Sequence, residues 1–523
     1  MATTDSITHK SGDYQRRIAA WKMVRDALEG EEVIKAAGTE YLPKPGGLDS
    51  IQYTAYKLRA SFFDVTDRTL SGLLGLVFRI EPRLELPAKL EPMLESATPD
   101  GSGLNLVIRE AVRENTSMGR WGVLVDMSPD KVVGGFPYLA TYMAEDILKW
   151  EERMERGVRR LVRVVLMDDS ATADETTTQR ILNLALDDEG LYVMEIFEAI
   201  SPEAQANYSA NDPNADIIAA GYKLVETIEP TAQGARLKSI PFWFVNTYDT
   251  RAKTSKPPML ALASMNSAHY RNSADYEHAL YLTACPTPWT AGMLQADRPT
   301  AIGSGTVWHL PKGGQVGILE FTGAALQAQA TAMTDKERRM AVLGARLIAE
   351  ETRNVTAETT RLNAKSETSV LTEAVANAEA GLISALRFAA EWAGANPEDV
   401  VLEINRDYVE TRMSPEELNA LIAGWQMGAY SKDTLHSNLQ RGEIIDPQRT
   451  VQDEQELIDD EDVDAPGGDE NDEVKTALAA ILANQQNGGN GDGEDGDGDG
   501  GDAGGAGEEG DGEEGGVTNA ANP

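Results

Sequence analysis

The sequence has few of the residues that build cross-links and metal sites. Its one cysteine, Cys285, excludes a disulfide framework within the chain and a cysteine-based zinc site. The five histidines are scattered, and His269 and His278 lie on opposite sides of one predicted helix. No run of about 18 apolar residues occurs, so we expect no membrane span. Because residues 1–13 lack the apolar core of a signal peptide, we expect an intracellular setting.

Positive charge is also scarce. The formal net charge is −38, and residues 451–523 alone hold 23 acidic residues against one lysine. Tight, unspecific binding of nucleic acid needs lysine and arginine to neutralise phosphates, so we expect no strong grip on DNA. Acidic walls would suit a passage through which DNA slides. The alternative is that the acidic residues only increase the solubility of the protein.

Enzyme motifs are missing as well. The sequence contains no G-x-x-x-x-G-K-[ST] loop, no H-E-x-x-H and no G-x-S-x-G. The string at residues 495–500 (DGDGDG) fits the first half of a calcium-binding EF-hand loop. Its twelfth position is Ala506, where the loop needs a bidentate glutamate, and glycines replace the flanking helices. We therefore expect no enzyme activity, no catalytic residue, no metal site and no cofactor.

Hydrophobic periodicity predicts an α+β fold that is mainly helical. Helical spacing occurs at residues 13–37, 48–77 and 104–118. Apolar, strand-like runs follow, and the short polar loops between them indicate an antiparallel sheet. These runs cover residues 121–127, 161–167, 181–186, 191–200, 222–228 and 240–247.

Three long helical elements come next. The first covers residues 259–284, between Pro257-Pro258 and Cys285-Pro286. The second carries Leu326, Met333, Met340 and Leu347 at a spacing of seven, which we interpret as a seam between neighbouring helices, in one chain or between subunits. The third ends near Trp392, after a break at residues 353–356. Between the first two, we predict strands at residues 306–310 and 315–321, joined by the turn at residues 311–314 (PKGG).

Short helices and a low-complexity tail complete the chain. Residues 414–417 (SPEE) form a predicted capping box, Ser431 is a predicted N-cap, and Asp446-Pro447 is predicted to open a third helix. Beyond Gly467 the sequence is a Gly/Asp/Glu tract with one further helical pattern at residues 473–483. This tract holds too little apolar surface to offset the entropy of ordering, so we predict disorder.

Several segments, in the same order along the chain, resemble the portal family of tailed bacteriophages. The resemblance spans roughly residues 10–460 and includes the helical patterns described above. The segments that carry it are YKLRASFF at 56–63 with the residues up to Arg79, IPF at 240–242, MNSAHYRNSADY at 265–276, MAVLGARL at 340–347 and TAE at 356–358.

The resemblance implies a portal-type subunit with an α/β wing, two long stem helices, a small β-containing clip, a long kinked helix and a helical crown. The implied divisions are wing 1–257, stem helices 258–284 and 324–350, clip 285–323, tunnel loop 351–356, long helix and return to the wing 357–413, crown 414–466 and disordered acidic tail 467–523. The tail lies outside the family pattern.

The resemblance also implies a function and partners. Portals are homo-oligomeric rings, typically dodecamers, at one vertex of the virion capsid, assembled in the host cytoplasm. The ring is the channel for packaging and ejection of double-stranded DNA. The implied partners are the major capsid or scaffold protein, the terminase large subunit and head-tail adaptor proteins, and no membrane.

Two candidate sites follow. Arg346, Arg353 and Asn354, at or near the tunnel loop, are candidates for contact with DNA phosphates. The neighbouring basic residues are Lys336, Arg338, Arg339, Arg361 and Lys365. For most of them we prefer the interpretation that they lie on solvated helix faces or form ion pairs between subunits. The residues predicted to dock the packaging motor are Trp308, Lys312, Gly313 and Gly314.

Two other functions remain open. One is a generic helical scaffold or adaptor without a channel. The other is a metal-dependent nuclease or hydrolase, which would need clustered carboxylates on ordered elements. The acidic clusters of this sequence lie mainly in the tail, which disfavours the second alternative.

Overall fold

The computed structural model of the chain describes most residues as far as Asp464 and divides along the sequence into two compact units, with the boundary after residue 410. The described residues are 7–127, 136–171, 177–205, 215–284, 287–292, 294, 307–319, 324–348, 369–408, 415–442, 444–445 and 449–464. The fold class is mixed helix and sheet and mainly helical, as the sequence predicts.

Five helices form the N-terminal part of the first unit. They are α1 (Gly12–Glu29), α2 (Glu31–Ala37), α3 (Ser50–Arg59), α4 (Val65–Val77) and α5 (Leu104–Ser117). The continuous helix predicted over residues 13–37 is wrong in one respect, because Gly30 has a φ of +91° and interrupts it. The second predicted helix is likewise two, since the chain leaves the helical conformation between Arg59 and Val65. Asp49 caps α3 through a reciprocal capping box with Gln52.

Two antiparallel sheets follow, which confirms the sheet type that the sequence predicts. Their strands are β2 (Arg120–Met127), β3 (Pro137–Met143), β4 (Ile147–Glu155), β5 (Val158–Ala171), β6 (Thr177–Leu186), β7 (Tyr192–Ala199), β8 (Tyr222–Ile228) and β11 (Phe242–Asn246). The three-stranded sheet has the order β11-β2-β3, and the five-stranded sheet is a meander of β4 to β8. The predicted strands do not include β3 and β4. Strand β4 ends in five charged or exposed residues, which hide its alternation of apolar and polar side chains.

The remaining helices of this unit are two short ones and three longer ones. The short helices are α6 (Pro202–Gln205) and α7 (Ala215–Ala219), and the longer helices are α8 (Leu260–Ala284), α9 (Ala324–Ala345) and α10 (Val370–Trp392). The small strand pairs are β1 (Arg83–Glu85) with β14 (Val401–Glu403), β9 (Thr231–Ala232) with β10 (Ala235–Arg236), and β12 (Thr287–Ala291) with β13 (Gln315–Leu319). Three short 3-10 helices lie at Gly38–Glu40, Glu91–Leu94 and Pro397–Asp399.

The core lies where α5 and α10 pack against β2 and β11. Polar groups inside it are bonded across elements: the Asn115 side chain donates to the Ala374 carbonyl (2.6 Å), and Thr247 donates to the Asn115 carbonyl (2.8 Å). Such buried bonds connect α10 to the body of the unit, because leaving these groups unpaired would cost about 1–3 kcal/mol each.

The second unit holds three helices: α11 (Pro415–Gln426), α12 (Lys432–Arg441) and α13 (Val451–Asp464). Ser431 accepts a hydrogen bond from the Thr434 amide, which confirms the predicted N-cap of α12. Gly428, with a φ of +75°, follows α11. Residues 446–447 and the tail predicted to be disordered lie outside the described residues.

Candidate functional site: the helical arm

Helices α8 and α9 form an antiparallel pair whose far end carries the β12–β13 hairpin. We call residues 260–345 the arm. Helix α8 begins two residues after Pro258 and ends before Cys285, as the sequence predicts. His269 on α8 lies 3.2 Å from the Glu337 carboxylate on α9, which fixes the register of the pair.

The base of the arm is held by the segment that contains α3 and α4. The Tyr56 hydroxyl donates to Asp275 (2.5 Å), and the Ser61 amide donates to the Ser273 hydroxyl (2.9 Å). The guanidinium of Arg59 stacks 3.6 Å from the centre of the Tyr281 ring. These contacts join residues more than 200 positions apart, so no spacing in the sequence could indicate them.

The seven-residue seam on α9 is buried only at its C-terminal end. Met340 is fully buried and Leu347 is 7% exposed, whereas Leu326 and Met333 are half-buried. The seam is therefore, in part, a contact with the body of the same chain. The Leu371 amide, in the first turn of α10, donates to the Leu347 carbonyl (3.1 Å) and closes this end.

The far half of the arm has no core of its own. Of the residues between 275 and 339 whose side chains the structure describes, none is buried. Large apolar side chains are instead exposed by two-fifths to three-quarters of their surface. They are Tyr281, Leu282, Trp289, Leu294, Val307, Leu310 and Ile318.

The hairpin differs from the predicted one. Strand β13 pairs with β12, with Trp289 opposite Gly317, and residues 307–310 are not a strand. The predicted strand at 306–310 is thus wrong. Pro286 and Pro288 are typical of a turn and so hide strand β12, the actual partner of β13. Proline is tolerated in β12 because both strands of the hairpin are edge strands. The Trp289 ring covers Gly317 so closely that a Cβ there would lie 2.7 Å from the indole.

The four residues predicted to dock a packaging motor lie together near the end of the arm. The turn prediction is confirmed, since the Gly314 amide donates to the Pro311 carbonyl (2.9 Å) and Gly313 has a φ of +91°. Lys312 is exposed at this turn. Trp308 precedes the turn in an irregular segment and is half-buried.

The candidates for DNA contact are only partly described. Arg346 is exposed in the turn after α9, whereas Arg353, Asn354, Arg361 and Lys365 lie outside the described residues. Arg338 is highly exposed, 4.0 Å from Asp335 one turn earlier on the same helix. This arrangement fits the preferred interpretation of a solvated helix face.

The histidine at the crossing of the arm is buried. Burial lowers the pKa of His269, and the hydrogen bond with Glu337 opposes that shift only in part. The Phe63 ring lies 5.6 Å away on the other side. His269 is thus a packed side chain of the arm, and within the described part of the chain no three residues are grouped to hold a metal ion.

None of the helices in the described part of the chain is both long enough and apolar enough to cross a membrane.

Residues 258–393 match a family model described as a domain of unknown function, DUF4055. The match begins two residues before α8 and ends one residue after α10, so it covers the arm and the helix that follows. No curated protein matches the chain.

Solved structures of particle necks are similar to the chain over most of its length. One is from the neck of an empty GTA particle computed with C6 symmetry, at 13% identity and a TM-score of 0.37, covering 75% of this chain and 94% of the other. Another is from the neck of a native GTA particle computed with C12 symmetry, at 13% identity and a TM-score of 0.33, covering 72% and 89%.

Proposed function

We propose that this chain is the subunit of a portal: a closed ring at one capsid vertex that forms the channel for DNA and the docking platform for the packaging motor and the adaptor proteins. The observation that carries the proposal is the far half of the arm, which has no buried side chain among the described residues. Helix α8 has 25 residues, about 37 Å in length, and its far half exposes the apolar side chains of Tyr281 and Leu282.

Such an arm needs neighbours to be stable. A two-stranded hairpin is marginal alone in water, and α8 and α9 bury little beyond residue 275. Covering seven half-exposed apolar side chains is worth on the order of 5–10 kcal/mol per subunit, before the cost of association. Packing the arms of several copies side by side supplies that cover, and a head-to-tail contact of this type closes when its rotation fits a ring.

The sequence supports a portal over a generic scaffold. The segments that resemble the portal family occur in family order. All except TAE at 356–358, which lies outside the described residues, coincide with α3 and α4, the start of β11, α8 and the end of α9. The net charge of −38 suits a passage that DNA enters without being held.

Negative-stain electron microscopy of the purified full chain tests the proposal. We expect rings with a central hole. Open filaments or compact particles without a hole would instead favour the scaffold or adaptor alternative, because both lack a closed channel.

A further inference from the structure

Strand β11 is an edge strand with a free outer side. In the described part of the chain, no strand pairs with it there. The Val125 amide donates to the Pro241 carbonyl, so the Pro241 carbonyl faces β2. Backbone direction repeats every second residue of a strand, so the N–H and C=O groups of Trp243 also face β2. The alternation of an antiparallel strand then directs the N–H and C=O groups of Phe242 and Phe244 to the outer side.

A cavity of about 750 Å³ runs along this free edge. One wall is the β4–β5 hairpin, with Val158 and Leu161, and the opposite wall is the side of α10, with Gly381 and Ser384. The edge lies between these walls because Phe244 packs on Trp150 of β4, whereas Trp243 packs on Phe388 of α10. The cavity thus has one wall on either side of unpaired backbone groups, and each wall contains apolar or small residues.

The rim of the cavity is cationic in a strongly acidic chain. Arg159, Arg251 and Lys253 contribute to it, against Glu152 in the lining and Asp249 beside it, whose carboxylate accepts a hydrogen bond from the Arg251 Nε (2.7 Å). Arg159 lies 3.5 Å from Glu152, and its side chain is 72% exposed. Lys253 is exposed and, within the described residues, forms no ion pair.

A buried arginine adds positive potential behind the cavity wall. The Arg120 guanidinium lies between the rings of Trp150 (4.2 Å) and Phe244 (4.6 Å) and donates to the Ala252 carbonyl (2.9 Å). Among the described residues, its Nε and Nη2 atoms have no hydrogen-bond acceptor. Burial lowers the pKa of Arg120 to about 9, with Asp249 opposing the shift. An anionic group in the cavity would add to the partial compensation that Asp249 provides.

We propose that the cavity binds an extended acidic segment of a partner protein, which adds to the sheet as a fourth strand beside β11. Backbone pairing supplies affinity in this mode of recognition, and side chains on alternate faces supply specificity. Alternate side chains of an extended segment point to opposite walls, so its apolar side chains contact α10 and its carboxylates face Arg159 on the β4–β5 hairpin, with Arg251 and Lys253 at the rim. A phosphate ligand fits less well, because α10 presents the middle of its side to the cavity and no helix N-terminus.

The test uses the full chain and a fluorescein-labelled nine-residue peptide of alternating glutamate and valine, with anisotropy as the readout. A lysine–valine peptide of the same length is the control for charge. We expect the glutamate peptide to bind at least tenfold more tightly, with affinity falling as salt rises. The same peptide with N-methyl groups on the amides of one edge should lose binding, because those amides can no longer pair with β11.

Variants at exposed positions locate the site without endangering the fold. The double variant Arg159→Glu, Lys253→Glu should weaken binding at least tenfold, and Ser384→Trp should abolish it by filling the cavity from the surface of α10. Lys44→Glu, an exposed lysine elsewhere, should bind like the unmodified protein. Equal affinity for both peptides, or full binding by Ser384→Trp, would overturn the proposal. Displacement of the peptide by inorganic phosphate, with the N-methylated peptide binding normally, would overturn strand addition.

Discussion

At the scale of single residues, two glycines on helices have opposite surroundings. A Cβ at Gly381, inside α10, would lie 2.4 Å from the Val245 side chain, whereas a Cβ at Gly75, in α4, would have nothing within 4 Å. Alanine favours a helix over glycine by about 1 kcal/mol, and overpacking a core costs about 1–3 kcal/mol. The close approach of α10 to β11 therefore requires Gly381, and Gly75 has no such role.

We predict that Gly381→Ala lowers the free energy of unfolding by about 1–2 kcal/mol and that Gly75→Ala raises it by up to about 1 kcal/mol. Chemical denaturation of both variants measures the two effects. In the double variant Gly381→Ala, Val245→Ala, the new methyl group occupies the vacated space, so the loss should be smaller than the sum of the single losses. Additive losses would contradict the close packing.

At the scale of elements, the crossing of α8 and α9 contains a titratable group. The pKa of His269 is lowered in the folded chain by burial, so between that value and the ordinary value of about 6.5 the unfolded chain binds more protons. Stability therefore falls as the pH drops through and below about 6.5.

We predict that His269→Gln reduces the loss of melting temperature between pH 7.5 and pH 5.5. The companion variant Glu337→Gln should enlarge that loss, because the carboxylate it removes raises the pKa of His269. Differential scanning fluorimetry at the two pH values measures both variants against the unmodified chain. An unchanged pH dependence in both variants would show that His269 stays in the same protonation state in the folded and unfolded chain.

The turn at the end of the arm provides a test of motor docking. Lys312 is exposed there, so Lys312→Glu should change the melting temperature little. If this turn contacts the packaging enzyme, the variant should form normal assemblies yet reduce DNA packaging in a reconstituted assay. Lys312→Arg keeps the charge and should package normally. Full packaging by Lys312→Glu would place the docking surface elsewhere.

Local signals predicted the long elements of this chain well. Helix α8 lies between prolines, Ser431 caps α12, and strand β8 has the predicted bounds. The predicted pairing of the hairpin is wrong because prolines hide the strand β12. Contacts such as Tyr56 with Asp275 depend on tertiary packing and have no local signal in the sequence. Of the candidate sites, the turn at Lys312 was predictable from Pro-Lys-Gly-Gly, whereas the cavity beside β11 is formed by three elements distant in sequence.

At the scale of the whole molecule, the acidic tail should be dispensable for assembly. The Gly/Asp/Glu composition after Gly467 predicts disorder, so deletion of residues 467–523 should leave the oligomeric state and the melting temperature nearly unchanged. Light scattering and calorimetry measure the two quantities. A melting temperature lower by several degrees would mean that the tail packs on the body.

Native mass spectrometry of the full chain tests whether the arms hold the subunits together. We expect a closed ring of about twelve chains. The double variant Trp289→Asp, Leu282→Asp should shift the mass toward single chains, whereas Leu106→Asp, at an exposed apolar position on α5, should keep the ring. A single chain at every protein concentration and salt, or rings that tolerate charge on the arm, would contradict assembly through the arms.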